Sequence, residues 1–259
     1  VPGTAVVTGA AGGLGRVLVE RLGRAGYDVV GVDLEGADRR LDVTDAAACR
    51  ELADKVRPAV WVNNAGVLGA GDAATQPDDV VDRVIDVNLR GVIHGTRAAV
   101  AAMRGRGGHV VQIASLASWV PVPGETVYAA TKAGVLSFTL GLQSELWSQG
   151  VRDIRLSAVC PDGMLTPMLT DVLHDDALAL SFSAPRLVTP AQVAERVVEV
   201  LERPRLIASV PRWRGAQVRL MAAAPDAMLR AAPVFLRMGL ANLEKVRGQA
   251  GAGAPESGR

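Results

Sequence analysis

Short apolar runs rich in Val and Ile alternate with longer amphipathic stretches along this chain. The runs fall at 5–7, 29–32, 60–62, 109–113, 154–159 and 206–210. They are continuous rather than alternating, as strands covered on both faces of a sheet require. Helical patterns lie between them at roughly 14–25, 45–56, 78–103, 125–148 and 190–202. Thr189-Pro190 opens the last of these, with Thr as N-cap and Pro in the first turn. The alternation predicts an α/β fold, a doubly wound parallel sheet in a single domain. No internal repeat is visible. We assign 1–211 to this domain, with a substrate lid at about 164–187, and 212–259 to a C-terminal tail.

One interval breaks the rhythm. Asp33 to Asp42 spans only nine residues. A full crossover helix between parallel strands needs about a dozen or more, so this crossover is predicted to be reduced to a loop. Pro225 and Pro233 are expected to divide the tail into short helices. The stretch after Glu244, rich in Gly, Ala and Ser, is expected to be floppy.

Composition narrows the function classes. The 259 residues are 49% hydrophobic and 21% charged, which suits a folded chain with a full core. The formal net charge of +1 offers no strong field for nucleic acid. Two distant cysteines, Cys49 and Cys160, suit a reducing compartment rather than a disulfide scaffold. With no leader pattern and no long apolar run, a cytoplasmic location is expected. His94, His109 and His174 lack a second ligand at metal spacing, so no metal site is expected.

Thr8-Gly9-Ala10-Ala11-Gly12-Gly13-Leu14-Gly15 lies between the first strand and the first helix. Glycines there allow a tight turn and close approach of a pyrophosphate, and the helix N-terminus offers free N–H groups. Asp33 ends the second strand, 18 residues after Gly15. Its carboxylate suits ribose hydroxyls and would repel a 2′-phosphate, which favours NAD over NADP. Arg39 and Arg40 lie close in sequence and soften that discrimination.

With these motifs in order, the sequence resembles the short-chain dehydrogenase/reductase family from about Thr4 to Val210. Thr8-Gly9 with Gly13 and Gly15 looks like its TGxxxGxG turn, Asp42-Val43 like its adenine-contact pair, and Asn63-Asn64-Ala65-Gly66 is its NNAG signature. Asn88, Ser115, Tyr128 and Lys132 match its catalytic four. The resemblance implies a Rossmann-type fold, an NAD(H)-dependent oxidoreductase acting on a secondary alcohol or ketone, and a homodimer or homotetramer. It also implies cofactor contacts from Gly9, Gly13, Leu14, Gly15, Asp33, Leu34, Asp42, Val43, Asn64, Ala65, Gly66, Tyr128, Lys132, Pro161, Gly163, Met164 and Thr166. Asn88 would interrupt its helix and hold a water leading to Lys132, which itself would hold the nicotinamide ribose.

The residues carry a physical reading of their own. Tyr128 and Lys132 are four apart, on one helix face. An ammonium about 4 Å from a phenolate, at an effective dielectric of about 20, stabilises it by ~4 kcal/mol. That would bring a phenol from about 10 toward neutrality, where general acid/base work is efficient. Ser115 follows the strand 110–114, at the carboxyl edge where open α/β sheets bind ligands, and is expected to hydrogen-bond the substrate oxygen.

Two stretches depart from the family pattern. Pro161 is followed by Asp162 where the family usually has glycine, and after Ser115 the usual Ala-Gly is Ala117-Ser118, followed by Trp119. Trp119 and Val120-Pro121-Val122 are expected to shape the substrate pocket. Met164, Leu165, Met168, Leu169, Leu173, Leu178, Leu180 and Phe182 make the expected lid apolar. An alicyclic, terpenoid or steroid-like substrate is therefore predicted. The tail mixes Arg212, Arg214, Arg219, Arg230, Arg237, Lys245 and Arg247 with large apolar residues. Packing over the substrate mouth or on a neighbouring subunit is preferred to peripheral contact with an anionic membrane, which a basic amphipathic helix also suits. A non-catalytic NAD-binding regulator and a membrane-associated lipid-binding module are the competing classes.

Overall fold

The structure, a computed structural model, describes residues 3–164, 166–170 and 173–252. Seven strands form one all-parallel sheet: β1 (Thr4–Thr8), β2 (Asp28–Asp33), β3 (Arg39–Arg40), β4 (Val60–Asn63), β5 (Gly108–Ile113), β6 (Ile154–Pro161) and β7 (Ile207–Val210). Their order is β3-β2-β1-β4-β5-β6-β7, so the winding reverses between β1 and β4. Ligands of such sheets bind at that reversal, beyond the carboxyl ends of the strands.

Successive strand residues face opposite sides, so a sheet covered twice needs apolar residues at every position. Ala5 and Val7 pack with Leu14, Leu18 and Leu22 of α1 (Gly13–Arg24) and Val193 and Val197 of α7 (Pro190–Glu202). Val6, between them, packs on the other side with Leu52 of α2 (Ala46–Val56), Met103 of α4 (Val92–Met103) and Leu146 of α5 (Thr126–Ser148). Full burial of one such aliphatic side chain is worth about 1.5–3 kcal/mol. Thr189 caps α7 in a reciprocal capping box with Gln192, and Pro190 occupies its first turn.

The short crossover is as the spacing predicted. Between β2 and β3 the chain makes only a loop, pinned where Asp38 accepts a 2.8 Å hydrogen bond from the Gly31 N–H. The helix predicted over 78–103 is present but broken. α3 (Asp78–Ile85) and α4 are joined by a single π-helical stretch, Asp86–Gly91, with Asn88 inside it. The Asn88 amide clips the Val67 backbone, donating to its carbonyl and accepting from its N–H, both at 2.8 Å. An amide that bonds a distant backbone in this way competes with regular helix geometry.

Beyond β6 lie α6 (Pro167–Thr170) and a 3₁₀ segment, Asp176–Phe182, followed after β7 by α8 (Arg212–Ala222) and α9 (Pro225–Ala252). Two expectations for this region are corrected. Pro225 does begin a helix, but Pro233 lies inside α9 without dividing it. Proline there forfeits one backbone hydrogen bond, and tertiary contacts farther along hold the helix together. Leu243 is fully buried with Leu178 and Phe182, and Asn242 donates to the Phe182 and Ala184 carbonyls at 3.0 and 3.3 Å. Gly239 lets α9 press against the 3₁₀ segment, since a Cβ there would stand 1.9 Å from the Ala179 carbonyl oxygen. The helix also continues past Glu244 to Ala252, where Lys, Arg, Gln and Ala are good helix formers. Leu165 and the last residues, 253–259, lie outside the described residues.

Candidate functional site

The carboxyl edge of the sheet opens into a cavity of about 430 Å³. One end runs over the glycine turn. Gly9 has a positive φ of 66°, and a Cβ on it would stand 2.7 Å from the Ala65 Cα. A Cβ on Gly15 would stand 1.9 Å from the Gly9 carbonyl oxygen, so only glycine lets α1 start this close to β1. Gly12 is the N-cap and supplies no capping side chain, and the first turn of α1 carries no acid. Its N–H groups therefore remain available to an anion.

The neighbouring loop is locked to this turn. Thr8 Oγ1 accepts from the Asn64 and Ala65 N–H groups, each at 3.0 Å, while Asn64 Nδ2 donates to the Thr8 and Gly9 carbonyls. Asn63 is fully committed inside the sheet, to Trp61, Thr96 and Gln112. Asp33 accepts from the Ala11 N–H at 3.0 Å and the Leu34 N–H at 2.8 Å, so its carboxylate braces the glycine turn from the end of β2. Leu34, Asp42 and Val43 line the same end of the cavity. A dinucleotide fits these features: a glycine cradle, free helical N–H groups, and an acid at the ribose position.

At the other end the predicted catalytic residues converge. Ser115 caps the 3₁₀ turn Leu116–Ser118 through a 3.1 Å bond from the Ala117 N–H. Tyr128 and Lys132 lie one turn apart near the start of α5, with the ammonium 5.4 Å from the ring centroid. Lys132 Nζ donates to the Ile113 carbonyl at 3.0 Å. A Cβ on Gly66 would lie 3.2 Å from Asn88 Oδ1 and 3.8 Å from Lys132 Nζ, which places Asn88, Gly66 and Lys132 in one corner. Pro161, Gly163, Met164 and Thr166 line the wall opposite. Thr166 and Pro167 reach back to Gly13, with Pro167 Cδ 2.9 Å from where a Cβ would sit.

The electrostatics differ from the expectation. Burial raises the Tyr128 phenol, the nearby Glu125 carboxylate raises it further, and a hydrogen bond with Ser115 offsets only part. Burial also lowers Lys132 to about 8. In a dry pocket, desolvation penalises the phenolate and the ammonium together, and here it outweighs the attraction between them.

Trp119 is a second correction. Val120, Pro121 and Val122 line the cavity, but Trp119 turns away beneath Arg219, whose guanidinium lies 5.5 Å from its ring. Of the expected lid residues, Met164, Met168, Leu169 and Leu180 face the cavity, while Leu173, Leu178 and Phe182 pack with Leu243. Met221, Met228, Leu229 and Phe235 of α8 and α9 close its far side.

Two participants were missed. Glu125 is 4% exposed, lines the cavity and accepts a hydrogen bond from the Ser181 hydroxyl. Its spacing, three before Tyr128, was the available signal. Arg214 is buried and donates to Asp162 at 2.7 Å, to Gln217 at 2.8 Å and to Ser183 at 3.3 Å. Asp162 was noticed as a departure, and a buried acid calls for a cation.

Comparison with known proteins agrees with this geometry. The profile of the short chain dehydrogenase family matches residues 3–177. A protein named "Probable oxidoreductase EphD" from Mycobacterium tuberculosis is 34% identical over 179 residues, 60% of this chain, and the match spans only 30% of that relative's length. "1-deoxy-11-beta-hydroxypentalenate dehydrogenase" from Streptomyces avermitilis is 37% identical over 193 residues, 64% of this chain and 70% of that one. A short chain dehydrogenase/reductase from Burkholderia phymatum, solved with NAD, has a TM-score of 0.76 at 26% identity, over 88% of this chain and 95% of that one. A short chain dehydrogenase from Burkholderia cenocepacia, solved with NADP, shares the fold with a TM-score of 0.77 at 22% identity, over 89% and 97%. From its glycine turn to its Tyr128-Lys132 pair, this chain belongs to the short-chain dehydrogenase family.

Proposed function

We propose that the protein is an NAD(H)-dependent oxidoreductase that interconverts an apolar secondary alcohol and its ketone. The observation that carries this reading is the convergence of Ser115, Tyr128 and Lys132 at one end of a cavity whose other end is the glycine cradle. Bound NAD supplies the hydride acceptor. The contacts expected from Gly9, Gly13, Leu14, Gly15, Asp33, Leu34, Asp42, Val43, Asn64, Ala65, Gly66, Pro161, Gly163, Met164 and Thr166 are consistent with their places along this cavity. Ser115 holds the substrate oxygen as its charge changes. Tyr128 takes the hydroxyl proton during oxidation and returns it to the ketone oxygen during reduction. Lys132 holds the ribose and keeps a positive charge beside the phenol, opposing the penalty of burial. Asn88 bends the helix chain behind Lys132 and carries the proton route onward through a held water.

Asp33 supports the preference for NAD: a 2′-phosphate beside its carboxylate would meet a like charge. Asp33→Ser should raise the NADP-to-NAD ratio of kcat/KM about ten- to hundredfold, the weight of one charged hydrogen bond. Segment 164–187 acts as the lid, and the Met- and Leu-rich wall from it and from α8–α9 suits an alicyclic or terpenoid skeleton. The relative named for a hydroxypentalenate supports the same class. The tail over the mouth favours a pocket-closing role rather than membrane contact. Among the described residues no helix is long and apolar enough to cross a membrane. Initial rates with NAD and NADP across alicyclic alcohols, ketones and CoA esters test the reading. NAD-linked turnover of the alicyclic alcohols is expected, and activity confined to CoA esters would overturn it.

A further inference from the structure

Glu125 has no part in the proton transfer just described, yet it is a buried carboxyl that lines the cavity. It is the N-cap residue of α5, one turn ahead of Tyr128, and its carbonyl accepts from the Ala129 N–H, but its side chain makes no capping hydrogen bond. Its backbone is held tightly. Gly124 has φ of 85°, and a Cβ on it would stand 2.1 Å from the Ala177 carbonyl oxygen. From the 3₁₀ segment that packs on Gly124, the Ser181 hydroxyl donates to Oε1. Oε2 has no protein partner among the described residues, and it is not among the buried side-chain atoms sealed without one. Val122, Leu180, Met168 and Leu169 line the same cavity and carry no side-chain donor. A carboxyl so placed is costly unless something hydrogen-bonds it. A contact meant only to hold Ser181 would be made at lower cost by a neutral amide. Its charge also opposes ionisation of Tyr128, a handicap that a bound donor would relieve.

We propose that Glu125 reads the substrate: Oε2 accepts a hydrogen bond from a second hydroxyl next to the reacting carbon, so the pocket selects vicinally oxygenated alicyclic compounds over monofunctional ones. This rests on the dehydrogenase reading above and narrows its substrate class. A site built to bond a substrate hydroxyl discriminates strongly against the analogue lacking it, because its own polar group is then left unpaired.

The test compares kcat/KM of the full chain on pairs differing only in that hydroxyl: cyclohexanol with cis-cyclohexane-1,2-diol, and decalin-2-ol with decalin-2,3-diol. The diol of a pair should be preferred by at least about 100-fold. Glu125→Leu should reduce that ratio to a few-fold, and Glu125→Gln, which keeps an acceptor and the closest shape, should lower it about tenfold. Comparable rates on both members of each pair in the unaltered protein, or a diol preference undiminished in Glu125→Leu, would overturn the assignment of Glu125 while leaving the dehydrogenase reading intact. Failure to oxidise any of the four with NAD or NADP would remove both.

Discussion

Lys132 Nζ lies 5.4 Å from the centre of the Tyr128 ring and donates a 3.0 Å hydrogen bond to the Ile113 carbonyl at the end of β5. The ammonium is thus tied to the sheet edge as well as to the helix that carries the phenol. Burial lowers Lys132 to about 8, so its charge is present below that pH and lost as pH rises through it. With the ketone as substrate, kcat/KM should fall above about pH 8, since this profile reports the free enzyme. Lys132→Arg keeps the charge at all these pH values and should remove the alkaline limb. A limb unchanged in Lys132→Arg would assign it to another group.

Arg214 and Asp162 form a buried pair between the start of α8 and the loop after β6. Asp162 also accepts from the Gly163 N–H at 3.0 Å, and its own N–H donates to the Val210 carbonyl at 2.8 Å. Arg214→Met strands a buried carboxylate and should cost about 3–5 kcal/mol in unfolding free energy. NAD binding should weaken as well, because this loop lines the cavity. Adding Asp162→Gly removes the orphaned charge and should restore much of the stability. Denaturant titration of the three proteins measures both effects.

His109 is the second residue of β5 and is buried, with Nε2 2.8 Å from the Ser157 hydroxyl, which itself donates to the Arg205 carbonyl at 2.6 Å. Burial chiefly, and Arg155 in addition, lower it to about 4. The unfolded chain takes up this proton near about 6.5, the folded chain only near 4, so folding stability falls as pH drops through that window. The depression corresponds to about 3 kcal/mol. His109→Phe should flatten the decline of Tm between pH 6.5 and 4 relative to the unaltered protein. Parallel declines in the two proteins would refute the assignment.

The sheet was legible because its strands are buried twice: Ala5, Val6 and Val7 must all be apolar when each face is covered. The reduced crossover was legible as simple chain length between Asp33 and Asp42. Asn88 was recognisable as a misfit in a helix, although the π-turn it occupies was not. Other features depend on distant partners that pattern cannot supply. Pro233 reads as a break until α9 is seen gripping the 3₁₀ segment through Gly239, Asn242 and Leu243. Asp162 reads as a loop charge until Arg214, 52 residues later, closes on it. The charge balance at Tyr128 was missed for the same reason: spacing revealed Lys132, but desolvation and the Glu125 charge emerge only when the pocket is assembled.

In the proposed NAD-linked oxidation of a secondary alcohol, the Tyr128 hydroxyl moves the proton. Tyr128→Phe removes that oxygen and little else. Steady-state NADH formation from the best alcohol of the panel, measured for both proteins alongside NADH binding by fluorescence, tests it most directly. Tyr128→Phe should lose about 10²–10⁴-fold in kcat with NADH affinity retained, the usual weight of a positioned acid/base. Equal turnover by Tyr128→Phe, with NADH bound equally well, would contradict it.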